Sequence, residues 1–313
     1  MRRLILVPQY PTPMRYQEWW YHEFISQLSS VFEVEVLGDD YPDNIISKSK
    51  EEMFSPIKES INFENYQIWK YNSMELRHDD ILLLNDISFP GLFSNVLYHK
   101  KPKHCYAICH ATSKNAYDYF SENERSKWKV ETGNSILFNK VFVATKYHKE
   151  FLGWDWERNT VVTGLPKHTY SNYNEPKEYD IVNVSRPTKQ KVNLELEEII
   201  ESHFNTKIVR NSFNSWEQYY KFLSKSKCLF ISSSAETFGY QVLDAVYNGC
   251  IPIAPRSFSY PELLPDDFLY SNNEEAIEKV KNVLDNKMIV PTLINQYIID
   301  NFYRKIIGEM NAI

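Results

Sequence analysis

Short, wholly apolar runs alternate with amphipathic stretches along this chain, and the runs have the length of strands buried on both faces. Leu4–Val7 is the first, followed by a loop broken at Pro8, Pro11 and Pro13 and a helical stretch over Tyr16–Ser29. Phe32–Leu37 alternates apolar and polar residues like a strand. Ile81–Leu84, Cys105–Cys109 and Lys140–Ala144 continue the series, with helical stretches between and after them. Strands separated by helices predict a parallel sheet wound through crossovers. The polar, turn-rich stretch Lys167–Asp180 reads as a linker. A second set follows, with strands at Asp180–Val184, Thr206–Val209, Cys228–Ile231 and Ile251–Ala254. Its helices fall at Leu194–Ser202, Ser215–Ser224 and Gly239–Asn248, and Glu274–Leu284 and Pro291–Met310 close the chain. The expected fold class is α/β: two doubly wound, Rossmann-like domains, residues 1–170 and 171–313, facing each other across a cleft.

A length of 313 residues agrees with two domains at about 150 residues each. The 43% hydrophobic and 24% charged fractions exclude wholesale disorder. A net charge of −6 excludes a polycation, so any nucleic-acid contact has to come from a local patch. Cys105, Cys109, Cys228 and Cys250 are too few and too scattered for a disulfide framework or a zinc site, and read as reduced, buried small hydrophobes. The apolar run after Arg3 is too short for a signal segment, and no run reaches the ~20 residues of a membrane span; the expected location is the cytoplasm. Val7-Pro8-Gln9-Tyr10 offers no GxGxxG turn and the chain has no GxxxxGK[ST] loop, which excludes nicotinamide dehydrogenases and P-loop kinases.

The stretch that carries chemistry runs from Ser232 to Pro265. A strand ends in small polar residues, Glu236-Thr237-Phe238-Gly239 follow, and a helix carrying Asp244 begins. A helix N-terminus placed there is a site for an anion, and Gly239 permits close approach of backbone to ligand. Glu236 and Asp244 are eight residues apart, about two helical turns, which predicts that both point at one bound molecule from the same side. This segment resembles the E-x7-E signature of retaining glycosyltransferases with the GT-B fold, with Asp244 in place of the second glutamate. The resemblance implies that Glu236 contacts the donor sugar, that Asp244 binds the ribose hydroxyls, and that Thr237, Phe238 and Gly239 give backbone contacts to sugar and diphosphate. Upstream, Val184–Lys191 is similar to the family's strand-end segment; Arg186 and Lys191, with Lys189 as the alternative second cation, would clamp the leaving diphosphate. The mechanism implied is front-face attack with retention, without a protein nucleophile, a metal or another cofactor. The Asp39-Asp40, Asp79-Asp80 and Asp266-Asp267 pairs are not metal-binding DxD motifs.

Within this half, ETFGYQVLDAVYNGCIPIAPRSFSYPELLPDDFLY resembles the tRNA-queuosine mannosyltransferase family. CYAICHATS bears a fainter likeness to phage hydroxymethylcytosine α-glucosyltransferase. Both glycosylate nucleic-acid bases, so a modified base in DNA or RNA is one expected acceptor; a glycan, lipid or small molecule is the other. A sugar-nucleotide binder or isomerase is the reading outside the transferases. In the N-terminal half, His110 is placed at a strand end to touch substrate. Asp86, Arg15 and Trp19 are candidates facing the acceptor, with a turn-forming role equally open for Asp86. Where the family has a Gly-rich donor loop, Gln9–Glu23 lacks glycine. Residues 100–167 carry twelve Lys/Arg against seven Asp/Glu, a local +5 in a chain that is otherwise −11. Lys127 and Lys129 on this face, interleaved with Tyr117, Tyr119, Phe120, Trp128, Trp154 and Trp156, fit phosphates and an exposed base, or equally a solvated surface over an aromatic core.

Overall fold

The computed structural model describes residues 1–41, 58–87, 101–115, 124–169, 173–295 and 300–312, and the side chains of all of these except 58–60 and 124–127. Two compact units emerge. The first comprises Met1–Ala144, Lys149–His168 and Asp300–Ile313, the second Thr145–His148 and Thr169–Ile299. The sequence places one boundary, after residue 170; in the structure the terminal segment Asp300–Ile313 returns to the first unit.

The first unit is built on a six-stranded, wholly parallel sheet in the order β2-β1-β3-β4-β5-β6. Its strands are β1 (Arg3–Val7), β2 (Glu33–Val36), β3 (Ile81–Leu84), β4 (His104–Cys109), β5 (Lys140–Val143) and β6 (Thr160–Val162). The apolar runs are fully buried in β1, β3 and β4, as central strands covered on both faces require. β2, with its alternating Glu and Val, is the edge. The helices are α1 (Tyr16–Leu28), α2 (Lys58–Ser73), α3 (Glu124–Ser135), α4 (Lys146–Leu152), α5 (Trp154–Glu157) and α10 (Phe302–Asn311). The first turn of α4 groups with the second unit.

α10 buries Phe302, Ile306 and Met310, one stripe at i, i+4, i+8. Phe302 and Tyr303 pack edge-on against Phe24 of α1 at 5.7 and 5.4 Å. Arg2 Nη2 and the Tyr106 hydroxyl donate to the Met310 and Glu309 carbonyls, each at 3.2 Å, which satisfies acceptors that the end of a helix leaves open. The amino ends of β1 and β3 are tied by a buried fork: Arg3 Nε and Nη2 donate to the Asp80 carboxylate at 2.9 and 2.6 Å, and Arg77 N adds a third bond at 2.7 Å.

The second unit has a four-stranded parallel sheet in the order β10-β9-β8-β7, with β7 (Tyr179–Val182), β8 (Ser226–Phe230), β9 (Ile251–Pro255) and β10 (Leu269–Tyr270). Its helices are α6 (Leu194–Phe204), α7 (Trp216–Ser224), α8 (Tyr240–Tyr247) and α9 (Asn273–Leu284). Asn193, Ser215 and Asn272 cap α6, α7 and α9 through their side chains. The strand expected at Thr206–Val209 is reduced to a single parallel bridge, Val209 to Val182. All four cysteines are free and buried. Among the described residues no helix is long and apolar enough to cross a membrane.

Candidate active site at the carboxyl ends of the second sheet

Val209 lies on one side of β7 and β8 on the other. The carboxyl ends of β7 and β8 therefore flank the point where the winding reverses, which is where open parallel sheets receive ligands. The loop after β7 carries Arg186, Lys189 and Lys191; the loop after β8 carries Glu236. Main-chain and side-chain bonds zip the two together: Ser234 N to Gln190 O at 2.9 Å and Asn193 N to Ser232 Oγ at 3.0 Å.

Across this seam Lys191 Nζ donates to Glu236 Oε2 at 2.9 Å and to the Ala235 carbonyl at 3.0 Å. Neither partner is more than one-fifth exposed. Glu236 Oε1 accepts from Thr237 N at 3.0 Å and Phe238 N at 3.3 Å. Burial works against the charged carboxyl, but the Lys191 ammonium and its hydrogen bond, with those two N–H groups, outweigh it and hold Glu236 below the usual carboxylate range. The amides of Thr237 and Phe238, expected to meet sugar and diphosphate, here orient the carboxylate. Gly239 takes φ +100°, and a Cβ there would stand 3.2 Å from Tyr260 Cε1 and 3.3 Å from Leu263 Cδ1. Both the backbone and the neighbours ask for glycine. Tyr260 continues the network, its hydroxyl 2.6 Å from Ser233 Oγ, while Ser185 Oγ donates to Gln241 at 2.9 Å.

Glu236 and Asp244 do not share a helix, because α8 begins only at Tyr240, after left-handed Gly239. Asp244 is 7% exposed, and its Oδ2 accepts from the Tyr219 hydroxyl at 2.9 Å. Tyr219 was not foreseen; the signal available was an aromatic at every turn of the Trp216-Glu217-Gln218-Tyr219-Tyr220 helix. Removing that hydroxyl in Tyr219→Phe leaves a buried carboxylate short of a donor, so the variant should lose about 1–3 kcal/mol in urea melts. An unchanged midpoint would mean that Asp244 is held by other groups.

Glu197 was also missed. It is 3% exposed and accepts from Asn183 Nδ2 at 2.7 Å and Ser232 Oγ at 2.8 Å, with Arg210 on its other oxygen. One buried carboxylate thus joins the ends of β7 and β8 beneath both loops. A glutamate on the apolar face shared by Leu196 and Ile200 was the readable sign.

Arg186 is half-buried after β7 and Lys189 is exposed. In the first unit, His110 follows β4 with Nε2 2.9 Å from the Asn85 carbonyl and its ring against Tyr16 and Trp20 at 5.1 and 4.7 Å. Burial pushes its pKa down to about 4. Trp19, expected to face an acceptor, is 7% exposed and stacks on His168 at 4.8 Å. Arg15 is half-buried at the start of α1, and Asp86 is buried with Gln9 Nε2 on Oδ2 at 2.8 Å.

The aromatic face divides. Trp156 is core, stacked with Trp128 at 5.6 Å, whereas Trp154 is 80% exposed. Lys129 is exposed, but Lys114 is turned inward onto the Phe151 carbonyl at 2.7 Å and the Trp128 ring, and Lys167 pairs with Asp300 at 2.9 Å. Tyr117, Tyr119, Phe120 and the side chain of Lys127 lie outside the described residues. No group of three or more His, Cys, Asp or Glu arranged to hold a metal occurs among the described residues.

The loops, the Lys191–Glu236 pair and α8 all fall inside one recognisable segment. Residues 177–299 match the family Glycosyl transferases group 1. The chain is similar to the tRNA-queuosine α-mannosyltransferase of Drosophila melanogaster, 32% identical over 85 residues that span 27% of this chain and 22% of that protein. It resembles the lipopolysaccharide outer core galactosyltransferase WaaB with a TM-score of 0.62 and 14% identity, over 99% of both chains. It also resembles S. aureus TarM, solved with fondaparinux, α-GlcNAc-glycerol and UDP, with a TM-score of 0.57 and 15% identity over 79% of this chain and 59% of that one. The chain therefore spans 22% of the mannosyltransferase's length and 59% of TarM's, less than two thirds of each. Its fold is GT-B, and the group 1 domain carries the candidate site.

Proposed function

We propose that this chain is a retaining glycosyltransferase that moves a sugar from a nucleotide-diphosphate sugar to a hydroxyl acceptor. The observation that carries the reading is the Lys191–Glu236 pair at the β7/β8 crevice of the group 1 domain. Arg186 and Lys191 hold the diphosphate, and Lys189 adds positive charge nearby. As the bond from the sugar to the phosphate oxygen breaks, charge grows on that oxygen, where fixed cations stabilise the transition state more than the bound donor. Attack comes from the same face, and the departing phosphate takes the acceptor's proton. Glu236, kept ionised, meets the donor sugar, and Asp244, held by Tyr219, meets the ribose. These cations do the work a metal would do. UDP in the TarM structure supports a nucleotide-linked donor.

A panel of UDP- and GDP-sugars tested by thermal shift and calorimetry checks this. The cognate donor should stabilise the chain by about 2.7 kcal/mol at a hundred times its Kd. Lys191→Ala and Arg186→Ala should each remove most of that gain. If no nucleotide sugar stabilises the chain, the reading fails.

A nucleic-acid acceptor is the second reading, favoured by the +5 segment with exposed Lys129 and Trp154 and by the name of the mannosyltransferase relative. Oligonucleotide affinity should then fall steeply with salt, by about 0.9 counterions per phosphate contact on duplex and about 0.7 on single strands. Reversing Lys127 and Lys129 to Glu should flatten the slope and leave nucleotide-sugar binding unchanged. A flat salt response in the parent chain leaves the glycan, lipid or small-molecule acceptor.

A further inference from the structure

Ser185, the residue before Arg186, ties the loop after β7 to two other elements of the second unit. Its N–H donates to Asn183 Oδ1 at 2.7 Å, and the Arg186 carbonyl accepts from Thr188 N at 2.7 Å, so the backbone is gripped on both sides of Arg186. Ser185 Oγ then reaches out of the loop and donates to Gln241 Oε1, in the first turn of α8, at 2.9 Å. That bond sets the amide: with Oε1 turned to a donor, Nε2 faces the Tyr260 hydroxyl at 3.4 Å. Tyr260 is fully buried, so its hydroxyl has protein partners in place of water. The other partner is Ser233 Oγ at 2.6 Å, three residues before Glu236. One chain of contacts, Ser185–Gln241–Tyr260–Ser233, thus joins the loop of Arg186 to the loop of Glu236 by a route separate from the Lys191–Glu236 pair.

Tyr260 is a fixed post for this chain. Its ring lies against Gly239, where a Cβ would come within 3.2 Å of it. Its carbonyl accepts from Leu263 N and Leu264 N, each at 2.9 Å. It opens the turn Tyr260–Glu262, and Glu262 accepts from Lys146 N and Tyr147 N at 3.0 and 2.7 Å, in the part of α4 that groups with this unit. At the far end of the chain stands the root of a long, rotamer-rich side chain, whose ordering is costly. A guanidinium meets phosphate oxygens as a planar fork, so both of its bonds form only where that root is held. Lys191 needs less of this, because its ammonium is already aimed by Glu236 and the Ala235 carbonyl.

We infer that Tyr260 and Gln241 are positioning residues, which act through Ser185 to set Arg186 against a bound diphosphate. This rests on the proposed function, in which Arg186 holds the diphosphate of the donor.

Double-mutant cycles in the full chain test this, read by calorimetry with UDP, GDP and inorganic pyrophosphate as probes. Gln241→Leu should weaken the tightest of the three about tenfold in the parent chain. In Arg186→Ala, where no guanidinium is left to aim, the same change should cost less than about twofold. In Lys191→Ala it should still cost about tenfold, whereas a general loosening of the loop would shrink the cost in both backgrounds. Ser185→Ala should reproduce the loss, and Ser185→Thr, which keeps the donor, should recover most of it. Tyr260→Phe keeps the ring against Gly239, removes the hydroxyl alone, and should couple to Arg186 in the same sense. If Tyr260→Phe fails to fold, Gln241→Leu and Ser185→Ala, both at half-buried positions, still decide the outcome. An unchanged Kd in Gln241→Leu overturns the inference, as does an equal loss with and without Arg186, or a loss that shrinks as much in Lys191→Ala. Nucleotide sugars separate the two readings. If they bind and the coupling to Arg186 is absent, the positioning role alone falls; if the diphosphates show the coupling but no UDP- or GDP-sugar binds, the proposed function alone falls. If none of the three probes binds, Arg186 holds no diphosphate and both fall.

Discussion

Glu236→Gln should lower transfer at least about a hundredfold, the scale seen when one fixed electrostatic contact at a reacting centre is removed, and should lower the melting temperature as well, because the buried pair loses one of its charges. In the parent chain both carboxylate oxygens accept: one from Lys191, the other from the amides of Thr237 and Phe238. An amide cannot do both. Either its NH2 group faces the Lys191 ammonium or it faces two N–H donors, so one side of the seam is broken whichever way it turns. Lys191 is then a buried cation without its counter-charge, and its aim at a diphosphate changes too. Lys191→Ala and the double variant should therefore show less than additive loss, as residues acting through one contact do. Lys191→Ala should also move the acid limb of the activity profile to higher pH, because the largest influence holding the Glu236 pKa down has gone and burial then pushes it up. Full turnover in Glu236→Gln, or strict additivity in the cycle, would remove Glu236 from the reaction.

Why was the pair legible when its surroundings were not? The central strands announced themselves because they are covered on both faces, so an uninterrupted run such as Ile81–Leu84 has one reading. Arg186, Lys191 and Glu236 stand after the ends of such strands, and it is the resemblance to the E-x7-E glycosyltransferases that singles them out there. What failed were inferences that needed a third dimension. The eight-residue interval from Glu236 to Asp244 matches two helical turns, but left-handed Gly239 delays the helix to Tyr240. Trp19 and Trp156 fit a binding face as well as a core in the sequence, because an aromatic ring carries no mark of its exposure, and both are core. Thr206–Val209 has strand composition but bonds through Val209 alone, as an outer position with one neighbour. The return of α10 to the first unit depends on Phe24, Tyr106 and Arg2, partners that lie between 203 and 308 residues away in sequence. Glu197 and Tyr219 matter for what they hold, which no local pattern records.

The stability of the first unit should depend on pH in a way that its buried titratable groups set. Burial pushes His110 and His168 down to about 4 from 6.5. Between those values the unfolded chain binds one more proton at each site, so stability falls as pH falls from 6.5 toward 4. Glu64 works the other way. Burial raises it to about 7 from 4.5, so between 4.5 and 7 the folded chain binds the extra proton and stability falls as pH rises. Two histidines against one glutamate leave a net of one proton over pH 4.5–6.5, or about 1.4 kcal/mol lost per pH unit on acidification. His104, lowered mainly by burial and then by Lys103, Arg2 and His78, adds in the same sense as the other two histidines. Glu33 and Asp40, held low chiefly by their bonds to Arg77 and Lys70, contribute above the unfolded carboxyl range and lose that contribution only below it, outside this window. Tryptophan fluorescence isolates the unit, because Trp216 alone among the seven tryptophans belongs to the second. Urea melts followed this way should show the slope flatten in His110→Gln, whose amide can still donate to the Asn85 carbonyl, and steepen to about 2.7 kcal/mol per pH unit in Glu64→Gln. If His110→Gln and His168→Gln both keep the parental slope, neither ring is held neutral by the fold, and the acid sensitivity comes from elsewhere.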